Sequence, residues 1–225
     1  MLRGIGASRS GMVWEQTRSD VIANNVANLN TDGFKRSVAV GREFGLMLLR
    51  RIGDQQPSGP RVGIVGSGAE VAEIAGDQTG GALIKSENPL DAALVGPGEF
   101  TVLGPDGPAY TRDGRFKRAA DGTLVTAKGQ PVLVGGAPVG AGAGTLEIAE
   151  GGVVMVDGQP AGQLELRNAT AETEIRGGWL EGSNVDLSQE MTDLITALRS
   201  FQVNQRALQM QDATLGKAVN DLANL

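Results

Sequence analysis

Between residues 187 and 222, apolar side chains recur at alternating steps of four and three: Leu187, Met191, Leu194, Leu198, Phe201, Leu208, Leu215, Val219 and Leu222, with polar Gln205 and Asp212 completing the series. That spacing is the seam of a coiled coil, narrower than the face of a helix lying on a globular core. Asp186, with Gln189 three residues on, predicts a capping box at its start. A helix of that extent is about 55 Å long, too long for one small domain to cover. It calls for a partner helix. The N-terminal segment offers one, because Ile5, Met12, Ile22, Val26 and Leu29 fall on a similar stripe, interrupted by Gln16 and Ser19. Gly4, Gly6, Ala7, Ser8, Ser10 and Gly11 crowd its first turns and predict a helix that frays in an isolated chain. Asparagines at 24, 25, 28 and 30, followed by the turn pair Asp32-Gly33, predict a helix exit into a tight turn.

The middle of the chain has a different rhythm. Short β-type runs at 71–75, 82–84, 92–95, 100–103, 109–111, 115–118, 124–126, 132–134, 146–148, 153–156 and 164–166 are separated by Gly and Pro. Asp-Gly pairs at 106–107, 113–114, 121–122 and 157–158 are hairpin signals. The fold class expected is therefore α+β: a mainly-β central domain, a small antiparallel barrel or sandwich, with the N- and C-terminal helices pairing as a coiled coil. The expected division is 1–35 for the N-terminal helix and its Asn-rich exit, 36–65 for a linker or extended segment, 66–178 for the β domain and 179–225 for the C-terminal heptad helix. A linker signal of Asp, Gln, Pro, Ser and Gly lies at 54–61.

Composition narrows the chemistry. The 225 residues include no cysteine and no histidine, 34 glycines and 8 aromatics, with a net charge of −6. Without cysteine there is no disulfide framework or thiolate metal site; without histidine, Ser-His-Asp catalysis and zinc hydrolysis are excluded. The acidic balance argues against nucleic acid or an anionic membrane as the main partner. Apolar runs such as 46–49 fall far short of the roughly 20 residues of a bilayer span, and the first residues lack the apolar core of a cleavable secretory signal. The glycine run 63–68 is followed by a strand rather than a helix, so it reads as turn glycines, not a dinucleotide loop. Glu70 with Glu73 and Glu172 with Glu174 read as solvated carboxylates. No catalytic residue, cofactor or metal site is expected.

Three blocks of residues carry a resemblance. Ser10-Gly11-Met12 and then the run through Asn24, Asn25, Asn28, Asn30, Gly33 and Phe34 to Lys35 form the first. Asn88-Pro89-Leu90-Asp91, Gly98-Glu99-Phe100 and Tyr110-Thr111-Arg112-Asp113-Gly114-Arg115-Phe116 form the second. Leu180 to Leu187, with Ser183, Asn184 and Val185 at its centre, and Glu190-Met191, Leu194-Ile195, Arg199, Phe201 and Asn204 form the third. In this order they resemble the bacterial flagellar rod and hook proteins, distal rod or its close proximal relative. The resemblance implies a non-enzymatic subunit of the flagellar basal body, exported unfolded by the type III apparatus without a cleaved signal. Its partners would be copies of itself, neighbouring rod and hook proteins and the export apparatus, with no nucleic acid and no membrane insertion. It would polymerise helically, with the terminal helices as the inner core and the β domain facing outward. The large extra domains of the hook protein are missing from this chain.

The assembly interface expected from periodicity places Ile5, Met12, Ile22 and Val26 against Leu187, Met191, Leu194, Leu198, Phe201, Leu208 and Leu215. Burial of each side chain is worth about 1.5–3 kcal/mol, against roughly 1–2 kcal/mol per residue for backbone ordering. An isolated helix pair is marginal on that balance, and neighbouring subunits supply the rest. The alternative expectation is a β-domain binding module merely dimerised by its terminal helices, and a two-helix appendage packed within one monomer is the plainer reading of the stripes.

Overall fold

The computed structural model describes residues 2–43, 47–50, 61–65, 68–140, 142 and 144–223. Helix α1 (Leu2–Ala27) opens the chain and α2 (Leu187–Ala223) closes it. Antiparallel strands fill the space between, so the class is α+β with a β-rich core of several small sheets.

The chain divides into two compact units, the first holding residues 1–26, 37–76 and 187–225 and the second 27–36 and 77–186. In the first, β1 (Ser37–Glu43) pairs with β4 (Ala69–Gly76), and β2 (Met47–Arg50) pairs with β3 (Arg61–Val65), nested within the outer pair. The stretch read from sequence as linker or extended segment thus contains three strands of a ribbon, while 44–46, 51–60 and 66–67, including most of the 54–61 linker signal, lie outside the described residues. Helix α1 carries one face to this ribbon. The Ser10 hydroxyl accepts from the Ala69 amide at 3.3 Å, and the Trp14 ring lies over Gly41, where the β1 register shifts. A bulge bends a strand locally, and a glycine there leaves room for the indole.

In the second unit, Phe100 and Phe116 meet edge to face at 5.2 Å, surrounded by Leu94, Val102, Leu124, Val132, Ile148 and Val154. Strands Leu146–Ile148, Val153–Val156 and Gln159–Gln163 form a three-stranded meander turning at Asp157-Gly158. Glu99–Gly104 pairs with Gly107–Thr111 on one side and Leu166–Arg167 on the other. The late strands Glu174–Gly177 and Trp179–Glu181 return to pair with Ala92–Val95 and Leu83–Lys85. Not every Asp-Gly pair is a hairpin. A Cβ at Gly114 would stand 1.6 Å from the Ala92 carbonyl oxygen, so Asp113-Gly114 marks a close approach of two backbones, and its flanking strands pair elsewhere.

Candidate assembly face and the polar clasp

Helix α1 meets α2 through its other face, and the two run antiparallel. Four of the five contacts that follow fall in constant register. Gly4 approaches Gln211, Gly11 approaches Asn204, Glu15 bonds Ser200, Arg18 bonds Asp193 at 3.2 Å, and Asn25 bonds Glu190 at 3.2 Å. Outside the Arg18–Asp193 pair, where the long guanidinium reaches one turn further along α2, each step up one helix is matched by an equal step down the other. A Cβ at Gly11 would come within 2.9 Å of the Asn204 amide nitrogen, so the small residues of the first turns are where the helices come closest. On sequence these residues read only as weak helix formers. Their placement at 4, 8 and 11, one face of a helix, is the signal that would have found the contact.

The contact is mostly polar. Glu190 and Ala197 are fully buried on α2, and Ser8, Glu15, Ile22 and Asn25 are buried on α1. Ile5, Met12 and Val26 are half-buried, as are Leu194, Phe201, Leu208 and Leu215. The last four adjoin Glu190, Ala197, Asn204 and Gln211 on the inner side of α2. Met191 and Leu198 lie off that line, exposed at 45 and 48 %, with Ile195 beside them at 52 %, and Leu187, one heptad before Leu194 in the first turn of α2, is exposed at 42 %. Burial pushes the Glu15 carboxyl above its usual range, opposed by the Arg18 charge and the Ser200 hydrogen bond. One Glu15 carboxylate oxygen and the Gln211 amide oxygen are buried without a hydrogen-bond partner.

Asn25 fixes the foot of α1. It is 1 % exposed, donates to the Ser37 carbonyl at 2.8 Å and to Glu190, and accepts from the Ser37 amide at 2.9 Å. One side chain therefore ties the end of α1 to the start of both β1 and α2. Asn24 and Asn30 are exposed, and Asn28 accepts from the Thr31 hydroxyl in the turn that follows.

Residues 27–36 belong to the second unit and end in a polar clasp. Gly33, at φ +68°, donates its amide to the Glu181 carbonyl at 2.6 Å, and a Cβ there would stand 2.3 Å from the Arg112 carbonyl oxygen. The Arg112 guanidinium is buried. It bonds the Glu181 carboxylate at 2.9 Å and the carbonyls of Gly96 and Gly98 at 2.9 and 3.0 Å. The other Glu181 oxygen accepts from Lys35 at 2.7 Å and from the Gly81 amide at 3.0 Å. Every charge in the clasp has a partner, as a buried pair requires. Asn184 accepts from the Arg36 amide at 2.7 Å and donates to the carbonyls of Asp77 and Thr79. Phe34 is half-buried, and its carbonyl accepts from the Asn184 amide. Thr111 accepts from the Asp113 amide, and Ser183 accepts from the amide of the buried Val185. Burial raises the Asp113 carboxyl above its usual value, the Arg115 amide opposing it. The clasp draws on residues from the first, second and third sequence blocks.

Among the described residues no group of three or more acidic side chains is placed to hold a metal, and no helix is long and apolar enough to cross a membrane. Paired terminal helices, an apolar stripe left exposed on one of them and buried charges paired to hold backbone are the features of a structural subunit. Comparison with known proteins is specific. Residues 5–35 match the model of flagella basal body rod proteins, 93–156 that of the flagellar hook protein FlgE/F/G D1 domain and 176–222 that of the flagellar basal body rod FlgEFG protein C-terminal region. The chain is 32 % identical to the flagellar basal-body rod protein FlgF of Rhizobium meliloti, over 99 % of this chain and 98 % of the relative. It is 30 % identical to the FlgG rod protein of Agrobacterium fabrum, over 94 and 96 %, and 28 % identical to the flagellar hook-basal body complex protein FlhO of Bacillus subtilis, over the full length of both. The chain belongs to the FlgE/F/G-like family of flagellar basal-body rod and hook proteins, and it is a structural subunit of that assembly.

Proposed function

We propose that this chain is a rod subunit, distal or proximal, which is exported unfolded through the flagellar type III apparatus and polymerises helically through its terminal helices. The observation that carries the reading is the apolar stripe Leu187, Met191, Ile195 and Leu198, still exposed after α1 and α2 have met. Large exposed apolar side chains at helical spacing mark a surface made for a partner. The seam residues Ile5, Met12, Ile22 and Val26 with Leu194, Phe201, Leu208 and Leu215 pair the helices within a subunit, completing a coiled coil in the filament, while Leu187, Met191 and Leu198 serve neighbours. In this reading 1–35 and 179–225 are axial core, 36–65 is the extended arm, and 66–178 is an outward domain whose small sheets wrap Phe100 and Phe116 as a compact barrel or sandwich. The chain matches rod relatives nearly end to end, which supports a rod rather than a hook role. The absence of cysteine suits a chain threaded unfolded.

The test is Leu198→Asp. The isolated protein keeps its circular dichroism, because the site is half in water already, but open-ended polymers no longer sediment as concentration rises, and the gene carrying the substitution does not restore swimming to a deletion strain. A wild-type protein that stopped at a fixed dimer would favour the dimerised binding module instead.

A further inference from the structure

The chain has no cysteine, so its sulfur chemistry rests on six methionines. A thioether is oxidised to the sulfoxide where an oxidant can reach it, and a polar, chiral side chain then replaces a flexible apolar one. Accessibility separates the methionines. Met191 and Met210 on α2 are 45 and 66 % exposed, whereas Met12 on α1 and Met155 in the meander are half-buried.

The two exposed thioethers have different surroundings. Met191 lies between Leu187 and Ile195, one turn away on either side, with Leu198 a turn beyond Ile195. Its sulfur is the one oxidisable group in an otherwise aliphatic stripe. Met210 stands about 120° round the helix from Leu198, near Ala207 and Thr214. A sulfoxide at 210 therefore adds a polar group away from the stripe, while one at 191 adds it to the middle. Covering that second sulfoxide with leucine and isoleucine strips its oxygen of water and gives no donor in return.

We propose that Met191 is an oxidation site that regulates assembly: a peroxide converts its thioether to the sulfoxide in the free subunit, and the altered stripe no longer takes a neighbour. The sulfur lone pair attacks one peroxide oxygen, an S–O bond forms as the O–O bond breaks, and the second oxygen leaves as water. Sulfur loses two electrons and the peroxide gains them. A sulfoxide reductase reverses the step, the oxygen leaving as water while a dithiol becomes a disulfide. The proposal rests on the rod reading above and supplies its regulation, with assembled subunits protected and free ones open to attack.

Dilute wild-type protein is treated with hydrogen peroxide until Met191 is partly oxidised, quenched, concentrated and sedimented, and sulfoxide is mapped by peptide mass spectrometry in pellet and supernatant. Met191 and Met210 are expected to react several-fold faster than Met12 and Met155. Met191 sulfoxide is expected to be several-fold enriched in the supernatant, and Met210 sulfoxide to divide equally. Methionine sulfoxide reductases with dithiothreitol return the supernatant protein to the pellet. In polymer formed before treatment, Met191 reacts several-fold more slowly than in dilute protein, and Met210 at an unchanged rate. Met191→Gln, uncharged, polar and similar in length, lowers the sedimenting fraction several-fold without peroxide and keeps its circular dichroism, whereas Met210→Gln sediments as wild type. Equal Met191 sulfoxide in pellet and supernatant overturns the switch and leaves the rod reading standing. Untreated wild-type protein that does not sediment at any concentration overturns both.

Discussion

At Gly33 the backbone takes a left-handed conformation, and a Cβ would press on the Arg112 carbonyl. A non-glycine residue in that conformation costs of order 1–3 kcal/mol before the steric term. Gly33→Ala is therefore expected to lower unfolding free energy by about 2 kcal/mol or more, read by urea denaturation of the central domain. Arg112 sits at the other side of the same contact. Replacing it by Met leaves Glu181 buried with Lys35 as its remaining cation and strands the carbonyls of Gly96 and Gly98. Breaking a buried pair from one side costs about 3–5 kcal/mol, whereas replacing Arg112 and Glu181 together by apolar residues costs less. A double-mutant cycle measured by denaturation separates the two cases. The residue types in this clasp were visible in sequence as three separated blocks. Their convergence was not, because nothing local in a chain states which loop an Arg seventy-odd residues distant will enter.

At the scale of elements, helix lengths and ends followed from periodicity. Helix α2 begins at Leu187 and α1 ends at Ala27, both close to the sequence boundaries. The face each helix turns inward was less legible. Leu194, Phe201, Leu208 and Leu215 lie on the packed side, but the positions completing that side are Glu190, Ala197, Asn204 and Gln211. Small and polar residues allow closer helix approach than leucine does, and Gly4, Ser8 and Gly11 opposite them accept that approach. Hydrophobic counting is blind to such a seam. The seam also titrates. The folded Glu15 carboxyl binds its proton at higher pH than the unfolded one, so the folded state holds more protons in the window above the ordinary glutamate value of 4.5. Stability contributed by this group therefore rises as pH falls through the raised value, is fully present below 4.5, and is lost as pH rises back through it. Glu15→Gln is expected to stabilise the helix pair at neutral pH and to remove this part of the pH dependence. Helical melting of the variant and wild type across pH 4 to 7, followed at 222 nm, measures the difference. The ribbon of β1 to β4 was legible only in part, since the run at 71–75 predicts the strand Ala69–Gly76 while its partner lies in the stretch expected as linker or extended segment. Strands Ser37–Glu43 and Ala69–Gly76 meet across a long separation, and neither shows a strict apolar alternation.

For the whole molecule, the balance between a closed clasp and a polar helix pair predicts uneven stability. The second unit has an apolar core around Phe100 and Phe116; the helix pair depends on few buried apolar side chains. Limited proteolysis of dilute protein is expected to remove both termini first and leave the β domain, and assembly is expected to protect the termini. Termini that resist protease in a dilute monomer would show that folding of the helices is complete before assembly. Substitution on the two sides of α2 makes the same distinction. Leu194→Asp, at a half-buried site, is expected to destabilise the isolated helix pair by about 1–3 kcal/mol, while Leu198→Asp changes it by less than about 0.5 kcal/mol and acts on association alone.

Sequence by itself determined the two long helices, the β-rich middle, most of the short strands and the family, because periodicity, turn residues and ordered blocks are local properties of a chain. Tertiary structure alone decided three things. It chose the face on which α1 and α2 meet, brought Gly33, Lys35, Arg112, Glu181 and Asn184 into one clasp, and left the stripe at Leu187 to Leu198 exposed on α2. Each depends on which distant surfaces fit at close range, and packing and hydrogen-bond geometry settle that only once the chain has folded.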